Sequence, residues 1–104
     1  MKKIILAVLL VISTSVFAEA DPITAVMKKY NCYACHAIDK KVIGPAFKAV
    51  AAKYKGVPSA EDTLVKKVSN GGSGVWGNSP MPGLDIKGMN QPDIRRVVKF
   101  VLGQ

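Results

Sequence analysis

This chain is short of the residues that most often build protein sites. In 104 residues it has one histidine, two cysteines and one tryptophan. A structural zinc centre takes four ligands, which one histidine and two cysteines cannot supply. Acidic residues are also scarce, 7 against 15 basic ones, for a formal charge of +8. No run of alternating apolar and polar residues supports a sheet. The chain lacks repeats and low-complexity linkers, and its length suits a single domain. Only one long apolar run is present, Ile4 to Ile12, and the hydroxyl cluster after it stops it well before the roughly 20 residues of a membrane span.

That run has the order of a secretory leader: a basic start (Lys2, Lys3), an apolar stretch, then Ser13, Thr14 and Ser15, then small residues at Val16, Ala18 and Ala20. Residues 1–20 are therefore expected to be removed, with cleavage after Ala18 or Ala20, leaving residues 21–104 as the domain. Lys2, Lys3 and Glu19 leave with the leader, so 13 basic and six acidic residues remain, a formal +7. A charge of that size attracts acidic surfaces. Nucleic acid is not the expected partner, because the lysines are scattered in pairs (Lys28-Lys29, Lys40-Lys41, Lys66-Lys67) and the leader points to export. No stable membrane insertion is expected once the leader is gone. So short a domain buries little surface and needs a staple. A bridge between cysteines three positions apart would constrain the unfolded chain little, whereas a large apolar cofactor would do far more.

Four segments carry helical periodicity. The first opens at Asp21-Pro22 and places Ile23, Val26, Met27 and Tyr30 on one face. The second follows Gly44-Pro45, with Phe47, Val50, Ala51 and Tyr54 at the same spacing and Gly56 as its stop. The third begins at Ser59, where Ser-x-x-Asp (Ser59, Asp62) predicts a capping box, and runs to Asn70-Gly71-Gly72. In the fourth, Asn90 caps, Pro92 lies in the first turn, and Ile94, Val97, Val98 and Val101 form an apolar stripe opposite Arg95, Arg96 and Lys99. Gly71 to Met89, rich in glycine and proline, reads as a long irregular loop. Such a loop in a small domain is usually functional and needs something to wrap around.

Cys32-Tyr33-Ala34-Cys35-His36 is the C-x-x-C-H pattern of covalent haem attachment. Two thiols at that spacing can form thioethers at one haem edge, and the next residue sets its imidazole beneath the iron. A redox dithiol would need a βαβ setting that is absent here. A plain disulfide leaves His36 and the long loop unexplained. With no second histidine or further cysteine, a sixth iron ligand falls to methionine. Met27 sits on an apolar helix face, and Met1 leaves with the leader. Met81 lies between Pro80 and Pro82, which stiffen its loop, and is the first choice. Met89 is the second.

Cys-Tyr-Ala-Cys-His-Ala-Ile-Asp, Val-Ile-Gly-Pro-Ala-Phe, Val-Ala-Ala-Lys-Tyr, Gly-Gly-Ser-Gly-Val-Trp-Gly and Pro-Met-Pro follow one another from Cys32 to Pro82. In that order and spacing they resemble the short bacterial class I cytochromes c, named for alpha bands in the low five-fifties. The resemblance continues into the last helix. It implies an all-α fold of four helices and a long ligand loop around one haem c. It implies that Pro45 packs near the proximal imidazole and offers its carbonyl to His36, and that Trp76 donates its indole N–H to a haem propionate. Trp76 as a core anchor is compatible with that role. Lys67 stands where relatives carry arginine to a propionate, keeping the charge without the fork. Relatives often follow the ligand with two prolines, whereas Pro82 is followed here by Gly83, which could loosen the loop.

The resemblance further implies a periplasmic, monomeric one-electron carrier in respiration rather than an enzyme. The partners implied are a quinol-oxidising complex as donor and a terminal oxidase, nitrite reductase or cytochrome peroxidase as acceptor. The rival class is a haem enzyme or gas sensor with an open iron. It lacks a distal histidine, and Arg95 and Arg96 read as the solvated face of the last helix.

Overall fold

The computed structural model describes residues 8–14 and 22–104. Both leader cleavage positions and the Asp21 cap lie outside the described residues. Val8 to Ile12 have no regular secondary structure and are 75–85% exposed.

Among the described residues five helices form, in the order α1 (Ile23–Lys29), α2 (Cys32–Cys35), α3 (Phe47–Tyr54), α4 (Ala60–Asn70) and α5 (Gln91–Leu102), with a hairpin of β1 (Gly72–Gly74) and β2 (Gly77–Met81) between α4 and α5. Four of them are the helices expected from periodicity. The fifth, α2, is one turn long and carries the cysteine pair, too short for any periodic pattern to show. It is entered through Asn31 at φ +60°, a left-handed conformation that asparagine tolerates better than most residues.

The hairpin differs from the expected irregular loop. Its strands pair antiparallel, Gly72 with Met81 and Gly74 with Gly77. No alternation of polarity marks them, because nearly every residue in both strands is exposed. Glycine backbone, not a buried face, makes this pairing possible. Gly71 and Gly83 then bring the hairpin's base against the end of α4. A Cβ on Gly71 would collide with the Met81 carbonyl oxygen and lie 2.5 Å from the Gly83 nitrogen, while one on Gly83 would lie 2.8 Å from the Ser69 oxygen. Leu84 and Asp85 N–H donate to the carbonyls of Val68 and Ser69 at 2.9 and 3.2 Å. Gly83 therefore sits in a tight backbone contact rather than a loose stretch.

The core joins α1, α3, α4 and α5. Ile94, Val97, Val98 and Val101 are buried on α5, facing Val26 and Met27 of α1, Phe47 and Val50 of α3, and Leu64 and Val65 of α4. Each such side chain contributes about 1.5–3 kcal/mol when fully buried. Met27 and Met89 are 0% and 1% exposed and belong to this cluster. On the solvent side Arg95 reaches Glu61 at 2.6 Å and Asp62 at 3.3 Å, tying α5 to α4. These carboxylates hold the Arg95 guanidinium above its ordinary pKa.

The two predicted caps part company. The Asn90 side-chain oxygen accepts the Asp93 N–H at 2.9 Å. Ser59 occupies the N-cap of α4 but its side chain makes no cap hydrogen bond, and Asp62 turns to Arg95 instead. The capping box is therefore not formed: the carboxylate that should close it is held by a guanidinium on the neighbouring helix. At the start of α1, Pro22 stands at the cap position with helix from Ile23, one residue later than expected, as helix ends often do.

Two stability measurements follow, both by urea unfolding of the haem-loaded protein. Asn90→Ala is expected to cost about 1 kcal/mol, while Ser59→Ala costs less than about 0.5 kcal/mol; equal losses would contradict the cap assignment. Gly71→Ala is expected to cost at least about 2 kcal/mol, since φ +70° with ψ −159° suits glycine alone and the added methyl meets backbone.

Candidate functional site

The segment after α2 doubles back on it. Ile43 and Gly44 N–H both donate to the Cys35 carbonyl, at 3.2 and 2.7 Å, and Phe47 and Lys48 N–H donate to Ala37 and Ile38 at 2.9 and 3.1 Å. This return brings Gly44, Pro45 and Phe47 around the His36 ring. His36 Nδ1 lies 2.8 Å from the Pro45 carbonyl oxygen. A carbonyl only accepts, so Nδ1 is the donor in this bond, and in the neutral imidazole that leaves the electron pair on Nε2. Phe47 stacks on the imidazole, centroids 5.2 Å apart and planes 22° apart, and is held edge-on by Tyr33 and Phe100. A Cβ on Gly44 would stand 2.5 Å from Cε1 of the ring. The imidazole is thus held by one hydrogen bond and by ring and backbone contacts.

His36 lines a cavity enclosing about 1230 Å³ of space free of protein atoms, part of it open to solvent. Its walls are Phe47 and Val50 of α3, Leu64 and Val68 of α4, Val97, Val98 and Val101 of α5, and the whole inner side of the hairpin. Cys32, Cys35, Pro45, Lys67, Trp76 and Met81 all contribute to this lining along with His36, so these residues, distant in sequence, meet at one place. Neither Met27 nor Met89 does. Cys32 and Cys35 are not bridged to each other, and both are half-buried. Burial pushes the Cys32 thiol up, the adjacent Cys35 adds to the rise, and its own backbone hydrogen bond works against it.

Trp76 lies outside the buried helical cluster. It sits at the turn of the hairpin, 39% exposed, with Lys53 Nζ over its ring at 5.6 Å from the centroid. Lys67 is half-buried on α4 beside Gly72, 3.3 Å from where a Cβ would stand there. Three contributors carried no signal of their own: Gly44 and Phe47 at the imidazole, and Lys53 at the tryptophan. Gly-Pro before a helix marks a start, and only the return of the chain shows what the glycine faces.

The donor set fits covalently attached haem. Two thiols three residues apart, one imidazole with Nε2 free and one thioether share an apolar cavity with a lysine and no acidic side chain. Among the described residues no group of three or more histidine, cysteine or acidic side chains could hold a bare metal ion, which disfavours zinc.

Comparison with known proteins agrees with this chemistry. A family model described as cytochrome c matches residues 20–104. Cytochrome c-551 of Pseudomonas aeruginosa is 41% identical over 87 residues, 84% of this chain and 81% of its own. Cytochrome c-551 of Allochromatium vinosum is 43% identical over 86 residues, 83% and 87% of the two chains. The crystal structure of Nitrosomonas europaea cytochrome c552 superposes with a TM-score of 0.71 at 39% identity, over 77% of this chain and 96% of that one. Hairpin and five helices together make the class I cytochrome c fold, and the chain belongs to the cytochrome c family, whose members carry electrons on one covalently attached haem c.

Proposed function

We propose that the chain is exported, loses residues 1–20, and works in the periplasm as a monomeric one-electron carrier between respiratory complexes. In this reading Cys32 and Cys35 hold the haem, His36 and Met81 are its axial ligands, and Lys67 and Trp76 face its propionates. One observation carries the reading: His36 Nδ1 donates to the Pro45 carbonyl, which leaves Nε2 to serve as a ligand atom, and the same residue shares its cavity with Met81 and both thiols. The burial of Met27 and Met89 in the core supports Met81 as the thioether ligand. The exposed Val8–Ile12 run, which adds nothing to the core, supports its reading as part of a leader. Among the described residues no helix is long and apolar enough to cross a membrane.

The bound iron supplies a one-electron couple between its ferric and ferrous states. Everything else is done by the chain. The Pro45 carbonyl accepts a hydrogen bond from Nδ1–H and so raises the donor strength of the imidazole. Gly44 and Phe47 keep the ring from turning. The Met81 thioether is a weak donor that favours the ferrous state and so raises the potential. Apolar walls act in the same direction, because they stabilise the extra ferric charge poorly. If His36 and Met81 both bind the iron, no position would be left on it for a substrate, which argues for a carrier and against an enzyme. Arg95 and Arg96 support that view, being engaged with Glu61, Asp62 and Asp93 and absent from the cavity lining.

Around the cavity mouth Ile43 and Val75 are 55% and 54% exposed, with exposed Lys40 and Lys41 next in sequence to Val42-Ile43. Asp39, Glu61, Asp62 and Asp93 are each paired with a cation. The uncompensated charge is therefore basic, and it suits a brief encounter with an acidic partner: a quinol-oxidising complex as donor, or a terminal oxidase, nitrite reductase or cytochrome peroxidase as acceptor.

The spectrum tests the site. The native protein is expected to give sharp low-spin bands and a weak far-red iron–sulfur band, and to retain its haem through acid–acetone extraction. Met81→Ala is expected to lose the far-red band and keep the haem. High-spin bands in the native protein, or the far-red band surviving in Met81→Ala, would overturn the ligand assignment. Stopped-flow reduction by an acidic redox protein tests the surface. The second-order rate is expected to fall roughly tenfold between low salt and about 0.5 M salt; a rate that stays level or rises would contradict electrostatic steering.

A further inference from the structure

The tip of the hairpin, Val75-Trp76, stands between Gly74 at φ +110° and Gly77 at φ +111°, and a Cβ added to either glycine would meet no atom within 4 Å. Neither tip residue is buried by the chain itself, Val75 being 54% and Trp76 39% exposed. Across from the tip, Lys53 in the last turn of α3 places its ammonium 5.6 Å from the Trp76 ring centroid, within the range at which a cation is attracted to an indole face. Among the described residues this is the one cation–ring, ion-pair or hydrogen-bonding contact of a tip side chain. The other end of α3 begins at Phe47, the ring stacked on His36.

From this we infer that Lys53 is a positioning residue: it holds the Trp76 indole at the cavity mouth, so that one rigid helix sets both the imidazole, through Phe47, and the tryptophan, through Lys53. The inference rests on the reading of Trp76 as a propionate-facing donor. A lysine is suited to the task because its apolar stem lies along the helix while its charged head reaches outward to a ring that must keep one edge free. The glycines on either side give the tip the freedom that the cation then removes.

Trp76 is the only tryptophan in the chain, so its indole N–H gives a single side-chain resonance in ¹⁵N-labelled ferrous holoprotein. Its hydrogen exchange rate is expected to rise about two- to fivefold in Lys53→Gln, the effect of losing an exposed cation–ring contact. Lys53→Arg is expected to keep the native rate. The thermal midpoint is expected to stay unchanged in both, since the site is exposed and glutamine and arginine are good helix formers. An unchanged rate in Lys53→Gln, or equal acceleration in Lys53→Gln and Lys53→Arg, overturns the inference. Trp76→Phe separates it from the reading beneath it. A shifted reduction potential in that variant supports the propionate role, and an unshifted one overturns that role while the exchange rates still decide whether Lys53 holds the ring.

Discussion

Phe47, Val50, Leu64, Val97, Val98 and Val101 belong at once to the core of this protein and to the wall of its cavity. The helices therefore bury their apolar stripes against one another on one side only, and on the other they border space they do not fill. A domain of this size has little apolar surface to spare, and leaving such a wall wet forfeits both burial and dispersion contacts. The cofactor of the family is then a structural member as much as a redox centre. Covalent attachment follows the same logic, since a group that completes the core cannot be allowed to leave.

Around that cavity, positioning is done largely by backbone. His36 is oriented by the carbonyl of Pro45 and by the absence of a side chain at Gly44. Met81 is placed by the approach of Gly71 and Gly83, where two stretches of main chain touch. Backbone held by a helix end and by hydrogen bonds to Val68 and Ser69 moves less than a long side chain would. An electron carrier gains from that rigidity, because ligands that stay in place between oxidation states keep the reorganisation small.

Charge is arranged differently from structure. The acidic residues are mostly spent in pairs on the helix surfaces, at Asp39, Glu61, Asp62 and Asp93. These exposed pairs contribute little to stability, but they leave most of the lysines among the described residues without an acidic partner. The result is a basic surface whose cavity lining holds Lys67 and no carboxylate.

Much of this was written locally in the chain. Cys32, Cys35 and His36 are adjacent, so their shared chemistry could be read without a fold, and the stripe of Ile94, Val97, Val98 and Val101 announced its helix through spacing alone. Asn90 declared its cap because a cap is a contact over three residues. The rest depended on segments distant in sequence. Nothing near Ser59 shows that Asp62 will be taken by Arg95, 33 residues away. No alternation could reveal a hairpin whose residues are nearly all exposed. The choice of Met81 over Met89 as a cavity residue, the closeness of Gly44 to the imidazole and of Lys53 to Trp76 all arise where separate elements meet. The sequence by itself determined the attachment chemistry and the four longer helices, because both are set by neighbours along the chain. Only the tertiary structure decided which methionine borders the cavity and what holds each ring, because those are distances between parts of the chain that meet only when it folds.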